Sequence, residues 1–285
     1  MKRLSEPDVE GYRRDGFVAL DRVLEPAFLV ELQQVTATME QQAAGAAGSG
    51  AVFDIGGGGE LRRIKSPHLQ HRAYARALLD DAVLDCVEDL IGTAIRFWAG
   101  KLNLKQPHGG QAVEWHQDWA FGPATNDDLL TVGITLDDAS SENGCLLVLP
   151  GSHRGPLRDH WRNGQFVGAV ADGALDAAPA VALELPAGSI SLHHVRTLHA
   201  SAPNTSSRSR RLLLYTYAAA DAWPLTGIGD RASFDRQMLR GVAPAAPRLE
   251  RVPVAPWPRW EDEELGADTS IFDFQDRFGV STFAG

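Results

Sequence analysis

The chain has 285 residues, of which 44% are hydrophobic and 22% charged, with 28 glycines and 16 prolines. That composition fits a globular protein with a sizeable core, and it excludes disorder, collagen and coiled coil. Lys and Arg number 27 and Asp and Glu 37, which gives a formal charge of −10. Because phosphate backbones and anionic lipids attract basic surfaces, nucleic acid and membranes are not expected partners.

The amino terminus turns acidic before any apolar run develops, and no stretch of about 18 apolar residues occurs anywhere. We therefore expect neither a signal peptide nor a membrane span. The two cysteines, Cys86 and Cys145, are too few for a disulfide framework or a thiolate metal site. Both are expected to be buried apolar residues in a reducing cytoplasm.

The first hundred residues have a mostly helical pattern. Ser5 is an N-cap candidate, residues 17–20 are strand-like, and residues 26–44 predict a long helix. The stretch 45–59 is rich in glycine, which loses the most backbone entropy on ordering, so it predicts a surface loop without regular structure that acts as a lid. Ser66 followed by Pro67 predicts the start of a further helix that runs to residue 92, with a break near Asp80.

Short β-rich segments dominate from residue 95 onward. Many short strands in succession predict a sandwich or barrel; here they cover residues 95–99, 101–105, 129–136, 145–149, 181–185, 189–192 and 212–217. The Pro-rich segment 242–260 and the acidic run 261–264 predict an extended surface wrap without a packed core of its own. We expect a single domain over residues 1–285, with a mainly helical buttress at 1–94, a β core at 95–220 and a C-terminal wrap at 221–285.

The densest cluster of reactive side chains is the segment 114–121, which contains His116 and Asp118. Residues two apart on a strand point to the same face, so this imidazole and this carboxylate can aim at one point. Two histidines and one carboxylate form the facial triad that binds Fe(II) and leaves positions open for other ligands. The pair is two-thirds of such a site, although alone it is equally typical of a surface histidine beside a turn-capping aspartate.

A second segment, which begins at His199 and leads into an apolar strand, supplies the missing imidazole. Arg210 follows eleven residues later, where it can reach back across a hairpin. Its rigid guanidinium fork matches a carboxylate in bidentate fashion. The site is therefore expected to take a small-molecule acid.

Together the two segments read His-x-Asp at 116–118 and His-x-Ser-x-x-Asn-x-Ser-x-x-x-Arg at 199–210. This spacing resembles that of the phytanoyl-CoA dioxygenase family of Fe(II)- and 2-oxoglutarate-dependent oxygenases. Supporting pieces are Glu-Asn-Gly-Cys-Leu-Leu-Val-Leu-Pro-Gly-Ser-His at 142–153 and Gly-Phe-Val at 16–18. The resemblance thus spans nearly the whole chain.

The resemblance implies a mainly β double-stranded β-helix, the jelly-roll relative of cupins, with amino-terminal helices packed on one sheet. It implies Fe(II) held by His116, Asp118 and His199. It also implies that Arg210 pairs the distal carboxylate of 2-oxoglutarate and that Ser201 hydrogen-bonds it. With O2, such an enzyme hydroxylates an unactivated C–H bond of a small molecule and releases succinate and CO2.

Lys65 and Lys101 are two further cosubstrate contacts that the resemblance implies. Lys101, Asn103 and Lys105 alternate along their strand and share one face, and a polar face inside a barrel is expected only where a ligand sits. Asn103 is therefore a candidate substrate contact. The alternative is an exposed outer face with snorkelling lysines.

Where several relatives carry a tryptophan after the His-x-Asp segment, this chain reads Val-Gly-Ile-Thr at 132–135. We expect Gly133 to open space there, and Thr131 or Thr135 to replace the lost contact. The inner wall of the cosubstrate pocket is thus the least determined part of the site.

Several aromatic side chains near the triad have two possible roles. Trp119 and Phe121 follow the candidate carboxylate ligand and either line the substrate pocket or fill the core. His153 is expected to brace its loop, and His193 and His194 to be structural or pocket-lining.

Two other classes of function stay open. One is a cupin-like metal hydrolase or isomerase that does not use 2-oxoglutarate and in which Arg210 is structural. The other is a non-catalytic ligand-binding descendant. Within the oxygenase class, Asp118 disfavours halogenation, because related halogenases need a small residue there, whereas desaturation, epoxidation and cyclisation use the same triad. The sequence determines neither the organic substrate nor the oligomeric state.

Overall fold

The computed structural model describes residues 2–45, 50–171, 173–254, 270–279 and 281–283. The acidic run 261–264 of the predicted wrap and residues 46–49 of the predicted lid lie outside this description. Over the described ranges, helices dominate near the amino terminus and antiparallel strands follow.

Most helices begin at a polar residue that accepts backbone N–H groups. Ser5 and Asp8 form a capping box at the first helix, which confirms Ser5 as its N-cap. Asp80 caps the fifth helix, which explains the break that the sequence indicated. The helices are α1 (Glu6–Asp15), α2 (Pro26–Ala44), α3 (Pro67–Gln70), α4 (Arg72–Leu78), α5 (Asp81–Ile91), α6 (Arg231–Asp235) and α7 (Ile271–Phe278).

The strands form two main antiparallel sheets and a hairpin. They are β1 (Phe17–Leu20), β2 (Phe53–Ile55), β3 (Leu61–Lys65), β4 (Ile95–Lys105), β5 (Val113–His116), β6 (Leu129–Thr135), β7 (Leu146–Val148), β8 (Trp161–Arg162), β9 (Gln165–Phe166), β10 (Val181–Leu183), β11 (Ile190–His194), β12 (His199–Ser201), β13 (Arg210–Ala219) and β14 (Met238–Arg240). The larger sheet has the order β1-β11-β6-β13-β4-β3-β2, with β14 on β4, and the smaller β10-β7-β12-β5. β8 and β9 pair separately.

The helices cover the outer face of the larger sheet. Tyr215 and Tyr217 of β13 point outward, and their hydroxyls donate to the carbonyls of Tyr74 and Leu78 in α4, at 2.8 and 3.1 Å. One apolar core cluster joins buried residues of α2, α4 and α5 to residues of β4, β6, β11 and β13. The predicted mainly β jelly roll with amino-terminal helices on one sheet is confirmed.

Strand register places a row of side chains on the inner face of the larger sheet. Neighbouring strands pair Lys65 with Lys101, Lys101 with Leu214, Leu214 with Gly133, and Gly133 with Ser191. Because cross-strand partners point to the same side, every second residue of β3, β4, β13, β6 and β11 faces the smaller sheet. The alternating polar face predicted for β4 therefore lies inside the barrel, and the alternative of an exposed outer face is wrong.

The structure corrects three expectations about the elements. The glycine-rich stretch 45–59, which was expected to lack regular structure, contains β2, because Phe53 and Asp54 pair with the neighbouring strand β3. The segments at 95–99 and 101–105 are one continuous strand. The carboxyl-terminal region contains α7, whose Phe272 and Phe274 are almost fully buried. The proposed division of the single domain at residues 94 and 220 stays a prediction.

Candidate active site

His116, Asp118 and His199 converge between the two sheets. His116 ends β5 and pairs in register with His199 at the start of β12. One Asp118 oxygen, Oδ1, lies 3.7 Å from His116 Nε2 and 3.8 Å from His199 Nε2, and one donor atom from each residue lies within 4.8 Å of the others. The expectation that both members of the His-x-Asp pair lie on a strand is wrong, because Asp118 opens a 3-10 helix (Asp118–Phe121). The turn nevertheless directs its carboxylate at the same point.

Backbone contacts select the imidazole tautomer. His116 Nδ1 lies 2.8 Å from the carbonyl of Glu114, and His199 Nδ1 lies 2.9 Å from that of Thr197. Each Nδ1 must carry a proton to donate there, which leaves a lone pair on each Nε2 directed at Asp118. Two neutral imidazoles and one carboxylate on one side of a buried point are the donor set that suits Fe(II).

Burial fixes the charge states that this donor set requires. Desolvation lowers the pKa of His116 well below its usual value and that of His199 to about 4, so both rings are neutral near pH 7. Burial alone would raise the pKa of Asp118, but the charge of Lys101 and the neighbouring imidazoles outweigh it and hold the pKa well below the usual range.

The other Asp118 oxygen, Oδ2, is held by the larger sheet. Thr131 Oγ1 of β6 donates to it at 2.8 Å, and Thr216 Oγ1 of β13 lies 2.9 Å from Thr131 Oγ1. Since the single proton of Thr131 is used on Asp118, Thr216 is the donor in the second bond. His193 Nε2 lies 3.6 Å from the same oxygen, within ion-pair distance but beyond hydrogen-bond length, and neither ring nitrogen of this buried histidine has a hydrogen-bond partner among the described residues.

An inner chamber borders the triad and has Arg210 in its wall. Its wall includes the triad, Lys101, Asn103, Ser201, His193 and Arg210. Arg210 is 2% exposed, its Nε donates to the carbonyl of Gly144 at 3.1 Å, and its buried Nη1 has no partner among the described residues. Burial lowers the pKa of Arg210 to about 10, which still leaves it charged near neutral pH. A buried guanidinium with a free donor is suited to a carboxylate.

Gly144 makes this contact possible. Its φ of +77° is left-handed, and a Cβ there would lie 2.4 Å from the carbonyl oxygen of Ala202. Lys105, which the sequence places on the same face as Lys101, is buried and structural. Its Nζ donates to the carbonyls of Ser201 and Ala202, and so holds the end of β12.

An outer chamber of about 500 Å³ borders the triad at His116 and Asp118. It shares Lys101, His116 and Asp118 with the inner chamber. One part of its wall is cationic, with Arg63 and Lys65 on β3. The remainder is largely apolar and includes Phe97, Trp98, Trp119, Phe121, Leu129, Val195 and Ile271.

The predicted site residues divide between the two chambers. Lys101 lines both, Asn103 and Ser201 line the inner chamber, and Lys65 lines only the outer one, away from Arg210. Trp119 is 1% exposed and its indole N–H donates to the carbonyl of Pro253 at 2.7 Å, so most of this ring is core.

Phe121 lies beside the triad in the outer chamber. Its ring meets His116 edge-on at 5.9 Å, and it also packs on Phe166 and Phe274. It thus fills core and lines the pocket at once. His193 lines the inner chamber, which is one of the two roles predicted for it. His153 hydrogen-bonds the carbonyl of Arg13 and so braces its loop, as predicted.

Gly133 does not open space. A Cβ at this position would lie 3.0 Å from Ser191 Oγ and 3.3 Å from Leu212, because these side chains already fill the inner face. Of the two threonines expected to compensate, Thr131 contacts Asp118, while Thr135 donates to the carbonyls of Pro186 and Ser189.

Sequence reasoning missed Arg63 and Ile271. Arg63 stands two residues before Lys65, so the alternation of a strand would have placed both on one face. Ile271 reaches both chambers from α7. The Ser270–Asp273 capping box and the following aromatics were the available signal for that helix.

The fold and the site define a class: a jelly roll that carries a buried two-histidine, one-carboxylate centre beside a chamber with an arginine in its wall. The phytanoyl-CoA dioxygenase (PhyH) family profile matches residues 12–212. The chain belongs to this family. No helix within the described ranges combines the length and apolar character that crossing a membrane requires.

Curated relatives are similar over most of the chain. A probable alpha-ketoglutarate-dependent hypophosphite dioxygenase of Stutzerimonas stutzeri is 45% identical over 206 residues, 70% of this chain and 71% of that protein. An L-proline trans-4-hydroxylase of Streptomyces griseoviridis is 31% identical over 232 residues, 72% of this chain and 83% of the other.

Solved structures share the fold. EvdO2 from Micromonospora carbonacea var. aurantiaca, complexed with 2-oxoglutarate, is 28% identical with a TM-score of 0.62, covering 80% of this chain and 94% of that one. EctD from S. alaskensis in its apo form is 25% identical with a TM-score of 0.67, covering 88% of each chain.

Proposed function

We propose that this Fe(II)- and 2-oxoglutarate-dependent dioxygenase binds iron through His116, Asp118 and His199 and its cosubstrate in the inner chamber. The observation that carries the assignment is the unpartnered, buried Nη1 of Arg210 in a chamber that borders the triad. Arg210 would pair the distal carboxylate of 2-oxoglutarate, and Ser201 would hydrogen-bond it. When bound there, iron, 2-oxoglutarate and O2 would supply the oxidising power for hydroxylation, with succinate and CO2 as the products of the cosubstrate.

The remaining residues would position and shield the reactants. Thr131 keeps Asp118 Oδ2 engaged, so that Oδ1 faces the two imidazoles. Phe121, Leu129 and Val195 give the outer chamber an apolar wall that excludes water from the reacting side. A substrate in the outer chamber would thus meet the triad at His116 and Asp118, whereas Arg210 lines only the inner chamber.

The substrate is proposed to be a small molecule that undergoes hydroxylation. Relatives named for hypophosphite, L-proline and ectoine support a small polar substrate. Their dioxygenase and hydroxylase names leave a metal hydrolase or a non-catalytic descendant without support. Lys65 and Lys101 stay proposed cosubstrate contacts on the resemblance. The acidic chain and its two buried thiols support a cytoplasmic enzyme that does not act on nucleic acid or membranes.

The decisive experiment combines turnover with metal analysis. The purified protein, supplied with Fe(II), 2-oxoglutarate and O2, should release succinate and CO2. H116A and D118A should lose both bound iron and turnover while keeping their circular dichroism spectra, and H108A, at an exposed histidine, should keep both. Full iron stoichiometry in H116A and D118A would refute the ligand assignment.

A further inference from the structure

The outer chamber has an excess of positive charge that the oxidation itself does not explain. Arg63, Lys65 and Lys101 line it, and among the described residues of its wall the single carboxylate is Asp118 of the triad. None of these three cations has a carboxylate oxygen within 4 Å among the residues described here. This occurs in a chain with a formal charge of −10.

Most arginines packed elsewhere in the described structure are neutralised by carboxylates. Arg62, the neighbour of Arg63, contacts Asp54, Asp273 and Asp276 at 2.5 to 3.3 Å. Arg211, the neighbour of Arg210, pairs with Asp137 at 2.5 Å. On β13 the alternation therefore separates paired Arg211 from unpaired Arg210, whereas Arg62 and Arg63 both lie against the ring of Phe272 and only Arg62 forms ion pairs.

Arg63 is held in place without being neutralised. It is 9% exposed, its Nε donates to Asn103 Oδ1 at 3.3 Å, and its guanidinium carbon lies 5.6 Å from the ring centroid of Phe272. Both contacts orient a charged fork without forming an ion pair. Asp54 and Asp273, which pair directly with Arg62, act on Arg63 only from beyond 4 Å. A buried charge without a directly paired counter-charge is costly, and a ligand that supplies one is stabilised.

Binding of the proposed cosubstrate does not neutralise the positive charge of the outer chamber. Two positive charges of Fe(II) and one of Arg210 balance Asp118 and the two carboxylates of 2-oxoglutarate. Arg63 and Lys65 line only the outer chamber, so their charges remain for whatever enters it.

Resting on the proposed function except for Lys65, which lines only the outer chamber and is here reassigned from the cosubstrate to the substrate, we propose that the substrate is an organic anion whose acid group, a carboxylate or a phosphorus oxyanion, binds at Arg63 and Lys65. Its apolar body lies along Phe97, Trp98 and Val195 toward the triad. A guanidinium fork matches both kinds of oxyanion. The volume of about 500 Å³ is within the range of small-molecule sites, and an inorganic oxyanion of a few atoms would leave most of the apolar wall uncovered.

Calorimetric titration of the anaerobic Fe(II)–2-oxoglutarate protein tests this inference without turnover. The probes are hexylphosphonate, heptanoate, hexanol, hexyltrimethylammonium and hypophosphite. At least one of the two organic acids should bind on the order of tenfold or more tightly than the alcohol and the ammonium ion. It should also bind more tightly than hypophosphite, and whichever acid is preferred identifies the acid group.

R63Q should weaken binding of the preferred acid on the order of tenfold or more, with partial recovery in R63K. If R63Q does not fold, K65M, which alters a half-buried side chain, tests the same loss of acid binding. R72Q, which removes an exposed arginine of α4, should bind like the unaltered protein.

Equal binding of acid and alcohol, no binding of any probe, or undiminished acid binding in both R63Q and K65M would overturn the proposal. If hypophosphite bound as tightly as the organic acids, the apolar body would not contribute to binding, and that part of the proposal would be wrong. Failure of the proposed function is separate, because it appears as absent 2-oxoglutarate binding and absent succinate release in the unaltered protein.

Discussion

Arg210 and Arg211 are adjacent residues with opposite surroundings. Arg210 faces the inner chamber with a free Nη1, whereas Arg211 faces away, where Asp137 accepts from its Nε and Nη2 at 2.8 and 2.5 Å. The alternation of β13 thus places one guanidinium in the site and the other in a structural ion pair. This contrast provides a matched pair of variants.

Replacing Arg210 by leucine should raise the concentration of 2-oxoglutarate needed for half-maximal succinate release by about two orders of magnitude. A charged hydrogen bond contributes roughly 1.5–3 kcal/mol, and the inner chamber has no second arginine in its described wall. R211L should lose stability but keep the 2-oxoglutarate requirement of the unaltered enzyme. An unchanged requirement in R210L would mean that the cosubstrate is anchored elsewhere.

Thr131 acts on the metal site through Asp118. T131V keeps the shape of the side chain but removes the 2.8 Å bond to Oδ2, so the carboxylate loses its fixed orientation. Loss of such a supporting bond typically lowers metal affinity or activity about 10–100-fold, and we expect a decrease of that size in an Fe(II) titration. T135V, on the same face of β6 but bonded to Pro186 and Ser189, should retain metal affinity. Equal affinity in T131V and the unaltered protein would contradict this role.

At the scale of elements, α7 is fastened to β2 and β3 by Arg62. This arginine, whose side chain is 5% exposed, contacts buried Asp54 on β2 as well as Asp273 and Asp276 on α7. Gln275 of the same helix donates to the carbonyl of Ala112 at 3.0 Å. The helix carries Ile271 into both chambers, so its docking completes the wall of the site.

R62M should therefore destabilise the fold and loosen the site together. Removing one partner of a buried ion pair typically costs about 3–5 kcal/mol, because Asp54 is left buried without a counter-charge. Urea unfolding should show this loss, and amide exchange in residues 270–279 should accelerate. R14M, which breaks an exposed pair with Asp15, should change neither. Unaltered exchange in α7 would show that the apolar contacts of Phe272 and Phe274 suffice to dock it.

For the whole molecule, buried neutral histidines make stability depend on pH. Desolvation lowers the pKa of His194 to about 4, and its Nδ1 accepts the backbone N–H of Arg196 at 3.1 Å, which requires an unprotonated nitrogen. The unfolded chain binds this proton near pH 6.5, well before the folded chain does. Stability from this group is thus complete above pH 6.5 and is lost as the pH falls toward 4.

The free energy of unfolding of the metal-free protein should fall between pH 6.5 and 5, with about 2 kcal/mol of the loss due to His194. Urea titrations at the two pH values measure the difference. H194Q should show a smaller pH dependence, while H108Q, at an exposed histidine, should match the unaltered protein. A pH dependence unaffected by H194Q would assign the acid sensitivity to other groups.

The sequence by itself determined the helices that begin with strong caps, the β class and the spacing of the triad. Ser5 and residues 26–44 are local signals, because capping and apolar periodicity depend on neighbours a few residues away. His116, Asp118, His199 and Arg210 were selected by residue type and spacing.

Only the tertiary structure decided what surrounds those residues. Whether Arg63 is neutralised like Arg62, whether Gly133 leaves space, and whether α7 reaches the site depend on strands far apart in the chain that register and packing bring together. Charge compensation and cavity shape are properties of the assembled barrel, because the carboxylates and apolar walls that determine them come from distant segments. The two chambers that share His116 and Asp118 therefore became visible only in three dimensions.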